Sequence, residues 1–151
     1  MTRGDIMAIA ITLAIAYGLK RHYSDDRVDR LDWILRPTAA LVGTDFERTP
    51  GEGYLSRDRH FLIAKACAGV NFLIVAFCAP VLGFVTSVRR KWLLVVGAAA
   101  AAYVATVLVN ALRIAVAMQL EPSQHQLEGV VVYAVGLCLF YAATRRVLVR
   151  A

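Results

Sequence analysis

The sequence predicts an all-α, polytopic membrane helical bundle of about four transmembrane helices, with an interfacial helix in its first outer loop. Three observations carry that expectation. At 59% hydrophobic and 19% charged, the composition is too apolar for an ordinary water-soluble domain. The apolar residues fall in long blocks rather than at helical or strand spacing. The basic residues gather at the ends of those blocks, where they act as topology signals. The formal charge of +6 therefore does not argue for a phosphate-binding face, and no nucleic-acid partner is expected. The 151 residues suit a single membrane-embedded domain. Three cysteines, all inside apolar blocks and without CxxC or metal-like spacing, indicate neither a disulfide framework nor a zinc site. No metal and no organic cofactor is expected.

The first apolar block, residues 6–19, is near the lower length limit for a span. Ala14-Ile15-Ala16 would also fit a signal-peptidase site after a short apolar core; a retained helix is the expectation, and either reading leaves the next segment outside. That segment, residues 20–60, carries eight Lys or Arg and eight Asp or Glu residues. Within it Val28, Leu31, Ile34 and Leu35 share one helical face, with Trp33 nearby, which predicts an interfacial helix ending near Pro37. Thr49-Pro50-Gly51-Glu52-Gly53 reads as a turn. The second span is placed at 61–85, interrupted only by Lys65. The third, 92–118, contains Asn110 and Arg113, and its run from Ala98 to Ala102 offers a smooth surface for close packing. The fourth is placed at 128–144.

Loop charges orient these spans. Arg89-Arg90-Lys91 and the group Arg145, Arg146 and Arg150 belong on the cytoplasmic side by the positive-inside rule. The connection from Glu121 to Glu128 has no Lys or Arg and belongs outside. Four spans with both termini inside satisfy every loop.

Three residues carry chemistry. A cysteine in a membrane helix is commonly a small hydrophobe, and Cys78 and Cys138 are read that way. Cys67 differs: counted from residue 61 it lies six residues below the outer start of its helix, roughly 9 Å at 1.5 Å per residue. Ala64, Ala66, Ala68 and Gly69 leave room around it for an extended peptide, and Asn71, one turn on, is a candidate hydrogen-bonding partner. Arg113 is costly inside an apolar block and marks a candidate site; standing alone it would also read as snorkelling to the headgroups. Asn110, three residues earlier, projects from the same face and argues for a wet, protein-lined pocket. Arg113 is expected roughly 8–10 Å below the outer surface, the depth expected for Cys67. His125, in the outer connection, is by itself an ordinary interfacial residue, but it completes a set of thiol, guanidinium and imidazole in one layer. In that set Cys67 attacks a peptide carbonyl to give a thioester. His125 takes the thiol proton, or holds it in an ion pair, and then protonates the leaving amine. Arg113 stabilises the oxyanion or orients the substrate backbone.

Cys67-Ala68-Gly69-Val70-Asn71-Phe72, Asn110-Ala111-Leu112-Arg113 and His125-Gln126-Leu127-Glu128-Gly129 resemble the three signatures of the exosortase/archaeosortase family: Cys-Ser/Ala-Gly, Asn-x-x-Arg and His-x-x-x-Gly, in this order on consecutive membrane segments. The resemblance runs from about residue 28 to the end of the fourth block, and the short length is most similar to the small form called exosortase K. It implies a Cys67–Arg113–His125 site and substrates that are exported proteins with a C-terminal sorting signal: a short motif, a membrane helix and a basic tail. It implies cleavage near the outer membrane surface, followed by transfer to an acceptor. Many family members have about twice as many spans, so this chain would be little more than a catalytic core. Its substrate docking is then open to help from a partner or from self-association. The competing class is a non-enzymatic small membrane subunit in which Arg113 binds a lipid or a partner protein. A hydrolase that releases the thioester to water is a third reading, since it uses the same intermediate.

Overall fold

A computed structural model describes residues 1–24, 27–43, 45–56, 61–120 and 125–150; the side chains of 125–127 and 149–150 lie outside the described set. Among the described residues five α-helices dominate: α1 Arg3–Ser24, α2 Asp32–Val42, α3 Val70–Phe84, α4 Lys91–Ala117 and α5 His125–Arg150. Three strands, β1 Glu47–Thr49, β2 Gly53–Ser56 and β3 Phe61–Ile63, form one antiparallel sheet in the order β1-β2-β3. Among the described residues three segments are long and apolar enough to cross a membrane: Lys65–Phe84, Lys91–Ala117 and Glu128–Leu148. Their outward faces are apolar, with Leu82, Trp92, Val96, Leu108, Leu112 and Leu139 all exposed, the surface a lipid-facing helix needs. The chain divides into two compact units, one of Met1–Ser24, Val70–Thr106 and Gly136–Ala151, the other of Asp25–Gly69 and Val107–Val135.

In the first unit α1 packs on α3. Asp5, Ala8, Thr12 and Ala16 form its buried stripe, the three- and four-residue spacing of one helical face. Thr2 and Asp5 start the helix as a reciprocal cap: Thr2 Oγ1 accepts from the Asp5 amide at 3.2 Å, and the Thr2 amide donates to Asp5 Oδ2 at 2.6 Å. Lys91 Nζ lies 2.8 Å from Asp5 Oδ1. Together these bonds hold the Asp5 carboxyl below the usual carboxylate range, at about 2, with the Lys91 contact the leading cause. Ala98 and Ala102 are buried on α4, where small side chains permit close helix approach.

In the second unit a 3₁₀ turn, Val28–Leu31, leads into α2. Leu31, Ile34, Leu35, Thr38 and Ala39 are buried, so the amphipathic face anticipated from the sequence is present. The helix does not end near Pro37; it runs through it to Val42, and Gly43 closes it at φ 77°. Thr38 and Ala39 extend the buried face beyond the proline, and that packing offsets the one backbone donor Pro37 lacks. The Thr49–Gly53 turn joins β1 to β2: Gly51 sits at φ 79° after Pro50, and the Glu52 amide donates to the Thr49 carbonyl at 3.1 Å. Gly53, at φ 128°, leaves no room for a side chain, because a Cβ there would lie 2.1 Å from the Ile63 carbonyl oxygen. Tyr54 donates to Asp32 Oδ1 at 2.5 Å and ties sheet to helix. Burial first, then this bond, pushes its phenol up to about 12.

The second membrane segment begins differently from its expected boundary. Phe61–Ile63 pairs with β2 as a strand, Lys65–Cys67 forms a 3₁₀ turn, and α3 starts only at Val70. A short apolar run such as Phe61-Leu62-Ile63 fits a strand as well as a helix; its pairing partner decides.

Candidate functional site

Cys67 ends the 3₁₀ turn, its amide donating to the Ala64 carbonyl at 2.9 Å. It is half-buried, beside a fully buried Ala68. Gly69 follows at φ 65°, a left-handed conformation that glycine adopts without steric cost. The thiol is thus carried by a tight turn rather than by a regular helix, and its depth in the membrane cannot be counted in helical steps from residue 61.

Asn110 on α4 is fully buried. Its Nδ2 donates to the carbonyl oxygen of Cys67, and its Oδ1 accepts from the Tyr133 hydroxyl at 2.8 Å. Arg113, one turn along the same face, donates from Nη1 to that hydroxyl at 3.3 Å and lays its guanidinium over the Tyr133 ring, 5.2 Å from the centroid. Gly129 on α5 makes this placement possible: a Cβ there would stand 2.9 Å from Arg113 Nε and 3.4 Å from Cζ. Cys67 and Glu128 are both close enough to Arg113 to interact with its charge. Arg113 Nε and both Glu128 carboxylate oxygens are buried with no hydrogen-bond partner among the described residues. Buried polar groups are normally paired, so unpaired ones around a thiol leave donor and acceptor capacity for something that enters.

The structure therefore joins Cys67, Asn110 and Arg113 in one unit and adds Tyr133, which the sequence reading did not single out. Its signal was available: residues 125, 129 and 133 are spaced four apart on α5, one helical row. The side chain of His125 lies outside the described residues. Asn71 belongs to the other unit, in the first turn of α3, where its Oδ1 accepts from Lys20 Nζ at 2.9 Å. The positive φ of Gly69 interrupts the helical row that would have set Asn71 one turn from Cys67. Cys78 lies on α3 and is half-buried; Cys138 lies on α5 and is exposed. Among the described residues no three His, Cys, Asp or Glu side chains converge as metal ligands would.

Chemically, the arrangement sets a thiol on a turn, pins the carbonyl of that residue to a buried amide, and presents a fixed positive charge nearby. A cation beside a thiol favours the nucleophilic thiolate, and one beside a carbonyl stabilises a developing oxyanion. Residues 41–143 match the family described as Transmembrane exosortase (Exosortase_EpsH). No curated protein and no solved structure gives a match.

Proposed function

The chain belongs to the transmembrane exosortase family, a family of cysteine-type transpeptidases, and from that premise we propose that it cleaves the C-terminal sorting signals of exported proteins. Cys67 is the nucleophile. Its sulfur attacks the scissile carbonyl carbon, the C–N bond breaks, and a thioester to the upstream part of the substrate remains. His125 receives the thiol proton and gives it to the departing amine. Arg113 stabilises the negative charge on the carbonyl oxygen. An acceptor nucleophile then displaces Cys67 from the thioester, so that the product is transferred.

The observation that carries this reading is the Cys67–Asn110–Tyr133–Arg113 bond sequence, which fixes a guanidinium and a cysteine backbone with respect to each other. The unpaired Arg113 Nε supports it further. In the same reading the protein is a short form akin to exosortase K. It sits in the cytoplasmic (inner) membrane of a prokaryote with its termini cytoplasmic and its site facing the periplasmic or extracellular side. The orientation follows from Arg89, Arg90 and Lys91 on one side and the Lys- and Arg-free connection 121–128 on the other. Its substrates carry a short motif, a membrane helix and a basic tail, and lipid or a second copy of the chain completes the docking surface.

The test compares envelope proteins of cells carrying the native chain, Cys67→Ala or His125→Ala. Proteins ending in a membrane helix and basic tail accumulate uncleaved in both variants, and hydroxylamine releases a trapped acyl group from the native chain alone. Unchanged processing in both variants would favour the non-enzymatic reading, in which Arg113 binds a lipid or a partner.

A further inference from the structure

Tyr133 has no role in any of the three signatures, yet it touches both polar residues that α4 contributes to the site. Its hydroxyl has one proton to give. Asn110 Oδ1 can only accept and Arg113 Nη1 can only donate. The two bonds, at 2.8 Å and 3.3 Å, therefore run in one direction: Arg113 donates to Tyr133, and Tyr133 donates to Asn110. This fixes the orientation of the Asn110 amide, because Oδ1 is taken by Tyr133 and Nδ2 is left to hold the Cys67 carbonyl. The ring acts separately, as a platform 5.2 Å from the guanidinium carbon. Gly129, one turn before Tyr133 on α5, leaves bare backbone against Arg113 Nε, where a Cβ would stand 2.9 Å away.

From this geometry we infer that Tyr133 is a positioning residue of the thiol site, its hydroxyl setting the Arg113 guanidinium and, through Asn110, the Cys67 backbone in one rigid arrangement. The inference rests on the reading of Cys67 and Arg113 as reacting groups given above. A tyrosine that merely fills space would be replaced by phenylalanine without effect, since the ring and its cation contact persist. A positioning hydroxyl would not, because a guanidinium on a long flexible stem loses its fixed place when its acceptor goes.

The experiment measures how strongly a positive charge is held at the thiol. The full chain in detergent, with Cys78→Ala and Cys138→Ala so that only Cys67 reacts, is alkylated by neutral iodoacetamide and by anionic iodoacetate. Accessibility and packing affect both reagents, whereas a nearby cation favours the anion, so the ratio of the two rates reports the cation. Arg113→Gln is expected to lower that ratio about tenfold and Tyr133→Phe about threefold. Tyr133→Phe added to Arg113→Gln is expected to change it no further, because residues acting through one group are not additive. Tyr133→His, which keeps a ring and a hydrogen-bonding nitrogen, falls between the parent and Tyr133→Phe, and serves if the phenylalanine variant does not fold. A parental ratio in Tyr133→Phe, or a parental ratio in Tyr133→His where that variant stands in, overturns the inference while leaving Arg113 in its role. So does an equal further loss on the Arg113→Gln background. A ratio unmoved by Arg113→Gln removes the cation from the thiol and overturns both readings together.

Discussion

Polar groups are handled differently in the two units of the molecule. In the first, each buried polar side chain among the described residues is engaged, Asp5 Oδ1 by an ion pair rather than a hydrogen bond. Asp5 is bound by Thr2 and Lys91, and the Thr12 and Thr106 hydroxyls return to carbonyls of their own helices, Ala8 at 2.8 Å and Ala102 at 2.6 Å. In the second, Asn110, one turn beyond Thr106 on α4, sends its amide to two other elements. Arg113 Nε and Glu128 keep buried atoms unpaired among the described residues. An apolar setting makes an unpaired polar group expensive, so closure is what stability alone would select. Departures from it are expected where a protein binds or reacts. Under the proposed function, chemistry belongs to the second unit and support to the first.

The sharpest way to break that contrast is to remove the guanidinium. Arg113→Gln is expected to lower processing of tailed substrates by roughly two to three orders of magnitude, the scale for losing an oxyanion-stabilising group. Thermal stability should hold or rise, since a buried donor without a partner is also removed. Processing measured beside circular-dichroism melting separates the two. A large drop in melting temperature with proportionate loss of activity would make Arg113 a structural residue. Gly129→Ala probes the same position from α5. A Cβ 2.9 Å from Nε must push the guanidinium aside, and a loss of about tenfold in rate with the fold intact is expected, since small misplacements in a site are costly. Gly97 is the counterpart in the first unit, with nothing within 4 Å of a Cβ, so Gly97→Ala should leave processing unchanged.

The same contrast explains what was readable in the sequence. Apolar blocks fix the existence of the long helices because membrane burial acts on whole segments, and Asn110 with Arg113 was visible as one face because an uninterrupted helix carries both. The setting of Cys67 was not, because it depends on long-range pairing. Phe61–Ile63 becomes a strand only because Gly53–Ser56 lies beside it. Helical spacing would set Asn71 one turn from Cys67, and Gly69 interrupts that spacing. A tyrosine in an apolar block reads as packing, and its row with Gly129 and residue 125 is what distinguishes Tyr133. The helix through Pro37 was obscured because a local breaker signal was overridden by burial at Thr38 and Ala39.

In the first unit the strongest electrostatic prediction concerns folding. Asp5 ordinarily titrates near 3.8 and is held at about 2 in the fold. A folded value below the unfolded one stabilises above the unfolded value, and the benefit is lost as pH falls from about 4 toward 2. Asp5→Asn should therefore melt below the parent at neutral pH, with the gap closing on acidification through that window. Processing at neutral pH should be unaffected in protein that remains folded. A gap of constant size from neutral to acid pH would mean that the Lys91 contact contributes no charge-dependent stability.

The smallest expected effect comes from the position where the two regimes meet on one helix. Thr106 is fully buried, but among the described residues its hydroxyl is bound only to Ala102. Thr106→Val keeps the shape and removes a bond internal to α4, so stability should change by less than about 1 kcal/mol, and processing should be unchanged. Asn110→Leu, one turn later, removes bonds to Cys67 and Tyr133 at once and should lose activity well beyond any change in melting. If Thr106→Val lost activity as heavily as Asn110→Leu, the hydroxyl's local bond would not be its whole role. The site would then extend up α4 past Asn110, and closure of polar groups would no longer mark where the chemistry stops.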